Sequence, residues 1–167
     1  MMKKPALFAR PIPAAIFILI AVVLDQAIKY WVETHLQLEV KWDTVVPFVA
    51  LYRTWNEGVA FSFLSGMSGW AIIGMRLLIV VFILWWWRNA AQAAALMHLG
   101  FAMIVAGAIG NIVDRFIYGH VVDYVLFHTE TWSFAVFNLA DSLITMGAVV
   151  VGFSELFLHR SDAKDAN

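Results

Sequence analysis

The sequence predicts an α-helical membrane protein with four transmembrane helices and a small extracytoplasmic β-sheet lying on the outer leaflet. Of its 167 residues, 62% are hydrophobic and only 14% are charged. A soluble domain is about 45–50% apolar and about 25% charged, so too little polar surface remains to cover a water-soluble globule. Four spans of about 20 residues each use about half of the chain. We therefore expect one membrane domain, residues 1–160, and a disordered cytoplasmic tail, residues 161–167.

Four long apolar runs give the predicted helices. The first begins after Arg10-Pro11 and is not followed by the small residues of a signal-peptide cleavage site, so we interpret it as an uncleaved helix. The second ends in Trp85-Trp86-Trp87-Arg88, a cluster that suits the lipid headgroup layer. The helices are predicted at about 12–32, 69–87, 93–113 and 137–158, with outer loops at about 33–68 and 114–136.

The distribution of lysine and arginine predicts the orientation. With four spans, both termini lie on one side, and that side holds Lys3, Lys4, Arg10, Arg88, Arg160 and Lys164. The opposite loops hold only Lys41, Arg53 and Arg115. The positive-inside rule therefore places both termini in the cytoplasm and both long loops outside.

The first outer loop carries a strand pattern. Apolar and polar residues alternate from Leu36 to Asp43, as expected of an amphipathic strand. A second strand is expected in the segment from Val45 to Tyr52, because Pro47 is tolerated at a sheet edge. The predicted sheet turns its Leu, Val and Trp side chains toward lipid.

Composition excludes several functional classes. The formal net charge is −1 and there is no basic run, so no nucleic-acid partner is expected. The absence of cysteine excludes disulfides and a thiol nucleophile. The five histidines show no metal-ligand spacing, so no metal site is predicted.

The polar residues inside the predicted helices converge on one leaflet. Helices 1 and 3 run outward and helices 2 and 4 run inward, so the ends of one pair face the starts of the other. The outer ends carry Asp25, Lys29, Asn111, Asp114, Arg115, Asn138 and Asp141. Ionisable groups in a membrane are costly and indicate function by default. Asp25 and Lys29 are also spaced to pair with each other on one helix face, so a structural role for them stays equally open.

Two aspartates lack any local counter-ion. Asp123 lies in the apolar segment Val121–Val125, and Asp141 lies at the start of the fourth helix, where it could instead be a first-turn cap. Two carboxylates held together in low dielectric do not both ionise, so the pair divides into an acid and a base. Such a pair can activate water against a peptide carbonyl.

At these residues the chain resembles the lipoprotein signal peptidases, the signal peptidase II family of bacterial inner-membrane aspartyl proteases. The resemblance covers nearly the whole chain. It is carried by four blocks in the family's order: LDQAIKYWV at 24–32, NEGVAFSFL at 56–64, GAIGNIVDRF with HVVDY at 107–124, and FNLADS at 137–142. Tyr124 stands where phenylalanine or tryptophan is usual.

The resemblance implies that Asp123 and Asp141 are catalytic. It further implies that the site is supported, or the substrate held, by Asp25, Lys29, Asn56, Gly58, Asn111, Asp114, Arg115 and Asn138. Among these, Arg115 and Asn56 are expected to place the substrate. Small residues such as Gly107 and Gly110 are expected to let the substrate backbone approach closely.

The implied substrate is a prolipoprotein whose cysteine carries a diacylglyceryl group, cleaved just before that cysteine. The implied enzyme needs no cofactor and lies in the inner membrane with its site near the periplasmic leaflet. Its expected partners are this substrate and membrane lipids, and we expect a monomer. The residues alone leave two alternatives open, a small proton-coupled carrier and a non-catalytic membrane assembly subunit.

Overall fold

The computed structural model describes residues 6–57, 69–90 and 95–158. A 3₁₀ turn, Leu7–Ala9, precedes helix α1, Pro11–His35; the other helices are α2, Gly69–Asn89, α3, Ala95–Ile117, and α4, Leu139–Phe153, which ends in a π-helical turn, Ser154–Leu158. The strands are β1, Lys41–Asp43, β2, Val49–Asn56, and β3, Val121–Phe127. Gly58 and the predicted disordered tail, 161–167, lie outside the described residues.

Among the described residues, three helices are long and apolar enough to cross a membrane. They are α1, α3 and the continuous segment Leu139–Phe157 that contains α4. In α2, the apolar segment Leu77–Asn89 is shorter than a span. The predominantly helical fold is therefore confirmed, and the fourth span remains a prediction.

Helix α3 is the centre of the bundle. In the most apolar 18 residues of α3, 61% of the residues are buried, against 17% in α1 and 22% in the segment Leu139–Phe157. Glycines allow α3 and α4 to pack closely: a Cβ on Gly107 would lie 2.2 Å from the Ala140 carbonyl oxygen, and one on Gly147 would lie 2.6 Å from the Gly100 carbonyl oxygen. The expectation that Gly107 faces substrate backbone is wrong, because α4 occupies that space.

The predicted small sheet is confirmed, but its strands lie elsewhere than predicted. It is antiparallel in the order β1-β2-β3. The first strand occupies only the end of the alternating segment, because Glu39 takes a left-handed backbone conformation (φ 57°) that interrupts extension. The second strand runs to Asn56 rather than to Tyr52.

The third strand was not predicted. The segment 114–136 was expected to be a loop, yet α3 continues to Ile117 and β3 follows after a short turn at Gly119 (φ 81°). The apolar run Val121–Leu126 is too short for a span and pairs with β2 instead. This strand carries Asp123 into the protein.

Leu36 corrects the predicted lipid-facing stripe. Leu36 is buried and packs with Val32, Val122 and Tyr124. It closes the junction of α1 and β3, because it caps the carboxyl end of α1. Leu38, Val40 and Trp42, by contrast, are exposed as the alternation predicts.

Candidate active site

The amino terminus of α4 is fixed by three side chains, one from α1, one from β3 and one from its own N-cap residue. A helix start leaves its first backbone N–H groups without intrahelical acceptors. Here Leu139 N donates to the Tyr124 hydroxyl (3.2 Å), Ala140 N donates to Asp25 Oδ1 (3.1 Å), and Asp141 N donates to Asn138 Oδ1 (2.8 Å). The first turn of α4 is thereby tied to α1 and β3.

Asp141 both caps this helix and accepts a hydrogen bond from α3. Its Oδ2 accepts from the backbone N–H of Asn138 (3.3 Å), which completes a reciprocal capping box. Its Oδ1 accepts from Asn111 Nδ2 (2.7 Å) on α3. The first-turn cap and the site residue are therefore the same group.

Backbone pairing brings Asp123 to the start of α4. Phe137 exchanges two hydrogen bonds with Val125 (3.0 and 2.8 Å), which places the next residue, Asn138, beside β3. Asn138 Nδ2 donates to Asp123 Oδ1 (2.6 Å). Asp123 is only 2% exposed, so its carboxyl group is held in a nearly dry environment.

The second oxygen of Asp123 is held from β2. Asn56 pairs in register with Val121, which places its side chain diagonally opposite Asp123. Asn56 Nδ2 donates to Asp123 Oδ2 (3.0 Å). Both oxygens of the carboxyl group therefore accept from neutral amides.

Two asparagines join the two aspartates. Asn111, which donates to Asp141, accepts at Oδ1 from Asn138 Nδ2 (3.2 Å), and Asn138 in turn donates to Asp123. The chain of contacts thus runs Asp141, Asn111, Asn138, Asp123. It fixes the relative placement of the carboxyl groups through neutral amides.

The charged residues of α1 and α3 form a separate buried cluster. Lys29 Nζ lies 2.8 Å from Asp25 Oδ2 and 2.7 Å from Asp114 Oδ2, and all three side chains are buried. Lys29 also donates to Asn111 Oδ1 (3.1 Å). Through this hydrogen bond the cluster contacts Asn111, the residue that donates to Asp141.

Gln26 and Tyr124 take part in the site although neither was predicted to. Gln26 Nε2 donates to Asp114 Oδ1 (2.7 Å), and Tyr124 accepts from the first N–H of α4. Gln26 lies one turn from Lys29, a spacing that puts both on the same helix face. Tyr124 stands where phenylalanine or tryptophan is usual in the family that the chain resembles. Of these three residues, only tyrosine has a hydroxyl that can accept this hydrogen bond.

Arg115 reaches the end of β2. Its guanidinium donates to the Glu57 carbonyl (3.2 Å, from Nη1) and the Asn56 carbonyl (3.3 Å, from Nη2). It therefore anchors the backbone that presents Asn56 to Asp123. All the predicted site residues except Gly58 lie in the described part of the chain, and all of those meet at this end of the bundle.

Burial and the neighbouring carboxylate change the acidity of Asp123. Loss of hydration raises its pKa, and the negative charge of Asp141 raises it further. Hydrogen bonds from Asn56 and Asn138 oppose this by stabilising the charged form. The resulting pKa is about 6.

A small apolar cavity opens beside Asp141. It measures about 210 Å³ and lies between α2, α3 and α4. Its walls are Ile79, Ile104, Ala108, Asn111, Asp141 and Ile144. An apolar side chain that filled this cavity would bring the peptide bond next to it close to the Asp141 carboxylate.

Comparison with known proteins gives consistent results. Residues 17–157 match the family model described as signal peptidase (SPase) II. A lipoprotein signal peptidase of Sinorhizobium fredii is 59% identical over 93% of both chains, and one of Allorhizobium ampelinum is 56% identical over 96% of this chain and 98% of its own. A solved bacterial membrane enzyme, 25% identical, superposes with a TM-score of 0.79 over 94% of this chain and 99% of its own.

Proposed function

The chain belongs to the signal peptidase II family, and on this premise we propose that Asp123 and Asp141 are its catalytic residues. The protein is a protease that removes signal peptides from prolipoproteins. Neither alternative, a proton-coupled carrier or a non-catalytic assembly subunit, is favoured by these relatives. The observation that carries the proposal is that, among the described residues, the hydrogen bonds to Asp123 and Asp141 come from asparagine amides, while Asp25 and Asp114 share one lysine.

In the first step, Asp123 holds a proton and Asp141 is ionised. The raised pKa of Asp123 favours this division. Asp141 takes a proton from water, whose oxygen bonds to the scissile carbonyl carbon, and Asp123 gives its proton to the carbonyl oxygen. The product is a neutral tetrahedral diol, with Asp141 now protonated and Asp123 ionised.

In the second step, the roles reverse. Asp123 takes a proton from one hydroxyl of the diol, Asp141 gives its proton to the amide nitrogen, and the carbon–nitrogen bond breaks. A carboxylic acid and an amine leave, and both aspartates return to their starting state. The asparagine network holds both groups in place throughout, which is the contribution of positioning.

The substrate in this proposal is a prolipoprotein that carries a diacylglyceryl-modified cysteine, and cleavage falls just before that cysteine. The aspartates lie at the outer end of the bundle, with both termini cytoplasmic and α2 as the fourth span. The acyl chains then stay in lipid while the scissile bond reaches the site. Purified protein incubated with lipidated and unlipidated prolipoprotein tests this: a gel shift only for the lipidated form is expected. Equal cleavage of both forms would exclude the lipid requirement.

The sheet is proposed to rest on the outer leaflet beside the substrate. Strand β1 and the turn that follows it expose Trp42, Val45 and Phe48, with Val45 fully exposed. Burying such side chains in lipid is favourable by about 25 cal/mol per Å² of apolar area. A variant whose sole tryptophan is Trp42 should be quenched by lipid-borne quenchers. Fluorescence unaffected by those quenchers would place this face in water.

A further inference from the structure

A second, larger cavity lies at the end of the bundle opposite to the aspartates. It measures about 660 Å³ and lies where α1 begins, α2 ends and α3 begins. Its lining includes Arg10, Ala14, Ile18, Trp87, Arg88 and His98. The proposed peptidase reaction uses none of them.

His98 is a buried donor without an acceptor. It is 2% exposed, and Trp87 Nε1 donates to its Nδ1 (2.9 Å). An indole N–H can only donate, so Nδ1 is the accepting nitrogen and the proton of a neutral ring lies on Nε2. In the described part of the chain Nε2 has no hydrogen-bond partner. A buried donor without an acceptor is energetically costly. A ligand that brings an acceptor into the cavity that His98 lines would therefore be favoured.

Two cations stand at the same cavity. Arg10 and Arg88 both line it, both are exposed, and neither forms an ion pair with any described carboxylate. Guanidinium groups bind phosphate oxygens with matching planar geometry. The cavity therefore brings together two guanidinium groups and the N–H donor of His98. These groups favour a negatively charged ligand that carries hydrogen-bond acceptors.

The rest of the cavity wall is apolar. Ala14 and Ile18 lie on successive turns of α1, a helix of membrane-spanning length, with Leu84 opposite on α2. A free phosphate ion gains nothing from contact with an apolar wall, whereas an acyl chain buries apolar surface against it. The combination of a cationic end and an apolar wall is that of a lipid with an anionic headgroup.

We propose that this cavity binds an anionic phospholipid. Its phosphate oxygens pair with Arg10 and Arg88 and accept from His98 Nε2, and one acyl chain lies along Ala14 and Ile18. The site is separate from the aspartates, and the proposal stands whether or not they are catalytic. It assigns the arginines a specific ligand in addition to a general attraction to the anionic membrane surface.

Native mass spectrometry of the purified full chain tests the proposal. Phosphatidylglycerol and phosphatidylcholine with identical acyl chains are titrated into the protein, and the bound fraction is measured. We expect phosphatidylglycerol to bind more tightly, and Arg10→Gln and Arg88→Gln each to weaken it about fivefold, giving about 25-fold together. Lys41→Gln, which removes a cation from the opposite end, is the matched control and should change nothing.

Three results would overturn the proposal. One is equal binding of the two lipids, and another is a double arginine variant that binds phosphatidylglycerol like the parent. The third is displacement of the lipid by inorganic phosphate at equal concentration, which would make the cavity a simple anion site. Both arginines are exposed, so their variants should fold, and circular dichroism verifies this. In ¹⁵N-histidine spectra, phosphatidylglycerol but not phosphatidylcholine should shift the Nε2 signal that His98→Asn removes.

Discussion

The end of the bundle where α1 and α3 finish and α4 begins holds two pairs of aspartates that differ in their partners. Asp25 and Asp114 lie against Lys29 at 2.8 and 2.7 Å. Asp123 and Asp141 accept instead from Asn138, Asn56 and Asn111, at 2.6, 3.0 and 2.7 Å. The first pair is therefore compensated by charge and the second by neutral amides.

This difference separates scaffold from chemistry. Asp25 and Asp114 share the one buried ammonium of Lys29, so moving a proton onto either carboxylate would weaken an ion pair that holds α1 against α3. A carboxyl group held by amides keeps its place in either protonation state. Only the second arrangement leaves a proton free to move at the site, so we assign the reaction to Asp123 and Asp141 and the support to Asp25 and Asp114.

The largest effect should come from the amide-held pair. Asp123→Asn and Asp141→Asn each keep the shape of the side chain but cannot exchange the proton, so each should lower cleavage of lipidated prolipoprotein by about 10²–10⁴-fold. The matched control is Asp43→Asn, at an exposed position of β1, which should cleave normally. Substantial turnover by either purified, folded site variant would remove that residue from the catalytic pair.

The lysine-held pair should respond in stability. Lys29→Met leaves Asp25 and Asp114 buried without their cation, which costs about 3–5 kcal/mol. Thermal unfolding in mild detergent should therefore occur at a markedly lower temperature. Lys41→Met, at an exposed ion pair, should change stability by less than about 0.5 kcal/mol. Equal stability of the two variants would show that the cluster is not a scaffold.

Much of this division was visible in the sequence, and its limits are physical. The apolar runs and the alternating direction of successive predicted spans indicated which polar residues meet. Helices that cross a bilayer in alternating directions bring the end of one beside the start of the next. The spacing of Asp25 and Lys29 allowed a pair but did not reveal Asp114 as the second partner. That contact depends on how α1 packs against α3, which Gly110 sets: a Cβ there would lie 2.6 Å from Asp25 Oδ2.

The position of Asp123 was harder to predict. Its segment is short and apolar, and such runs are consistent with a strand, a loop or a buried helix end. Only its pairing with β2 and with Phe137 makes it a strand. These contacts link residues far apart in the chain, so no local pattern contains them.

A smaller effect is expected from the donor on β2. Asn56→Ala removes a hydrogen bond that favours the charged form of Asp123, so the pKa of Asp123 should rise above its present value of about 6. The pH profile of kcat/KM should then shift to higher pH on the limb that reports Asp123. The matched control Asn89→Ala, at the last residue of α2, should leave the profile in place. A rise in KM with an unshifted profile would instead make Asn56 a substrate-binding residue.

The smallest effect is expected at Tyr124. Tyr124→Phe removes the acceptor for the Leu139 N–H, at a cost of about 1 kcal/mol in stability. Cleavage should change by less than about fivefold, because the hydroxyl contacts neither aspartate among the described residues. A loss of activity comparable to that of Asp141→Asn would show that the hydroxyl acts in the reaction.

The shared proton is tested most directly by titrating Asp123 through its ¹³Cγ signal, assigned by its loss in Asp123→Asn. We predict a pKa near 6, and a lower value in Asp141→Asn, because the neighbouring negative charge is gone. A raised pKa also means that this group stabilises the fold fully below about pH 4 and loses that contribution as the pH rises through about 6. The parent should therefore lose stability relative to Asp123→Asn over that interval. A pKa near 3.8, or one unchanged in Asp141→Asn, would contradict a pair that shares one proton.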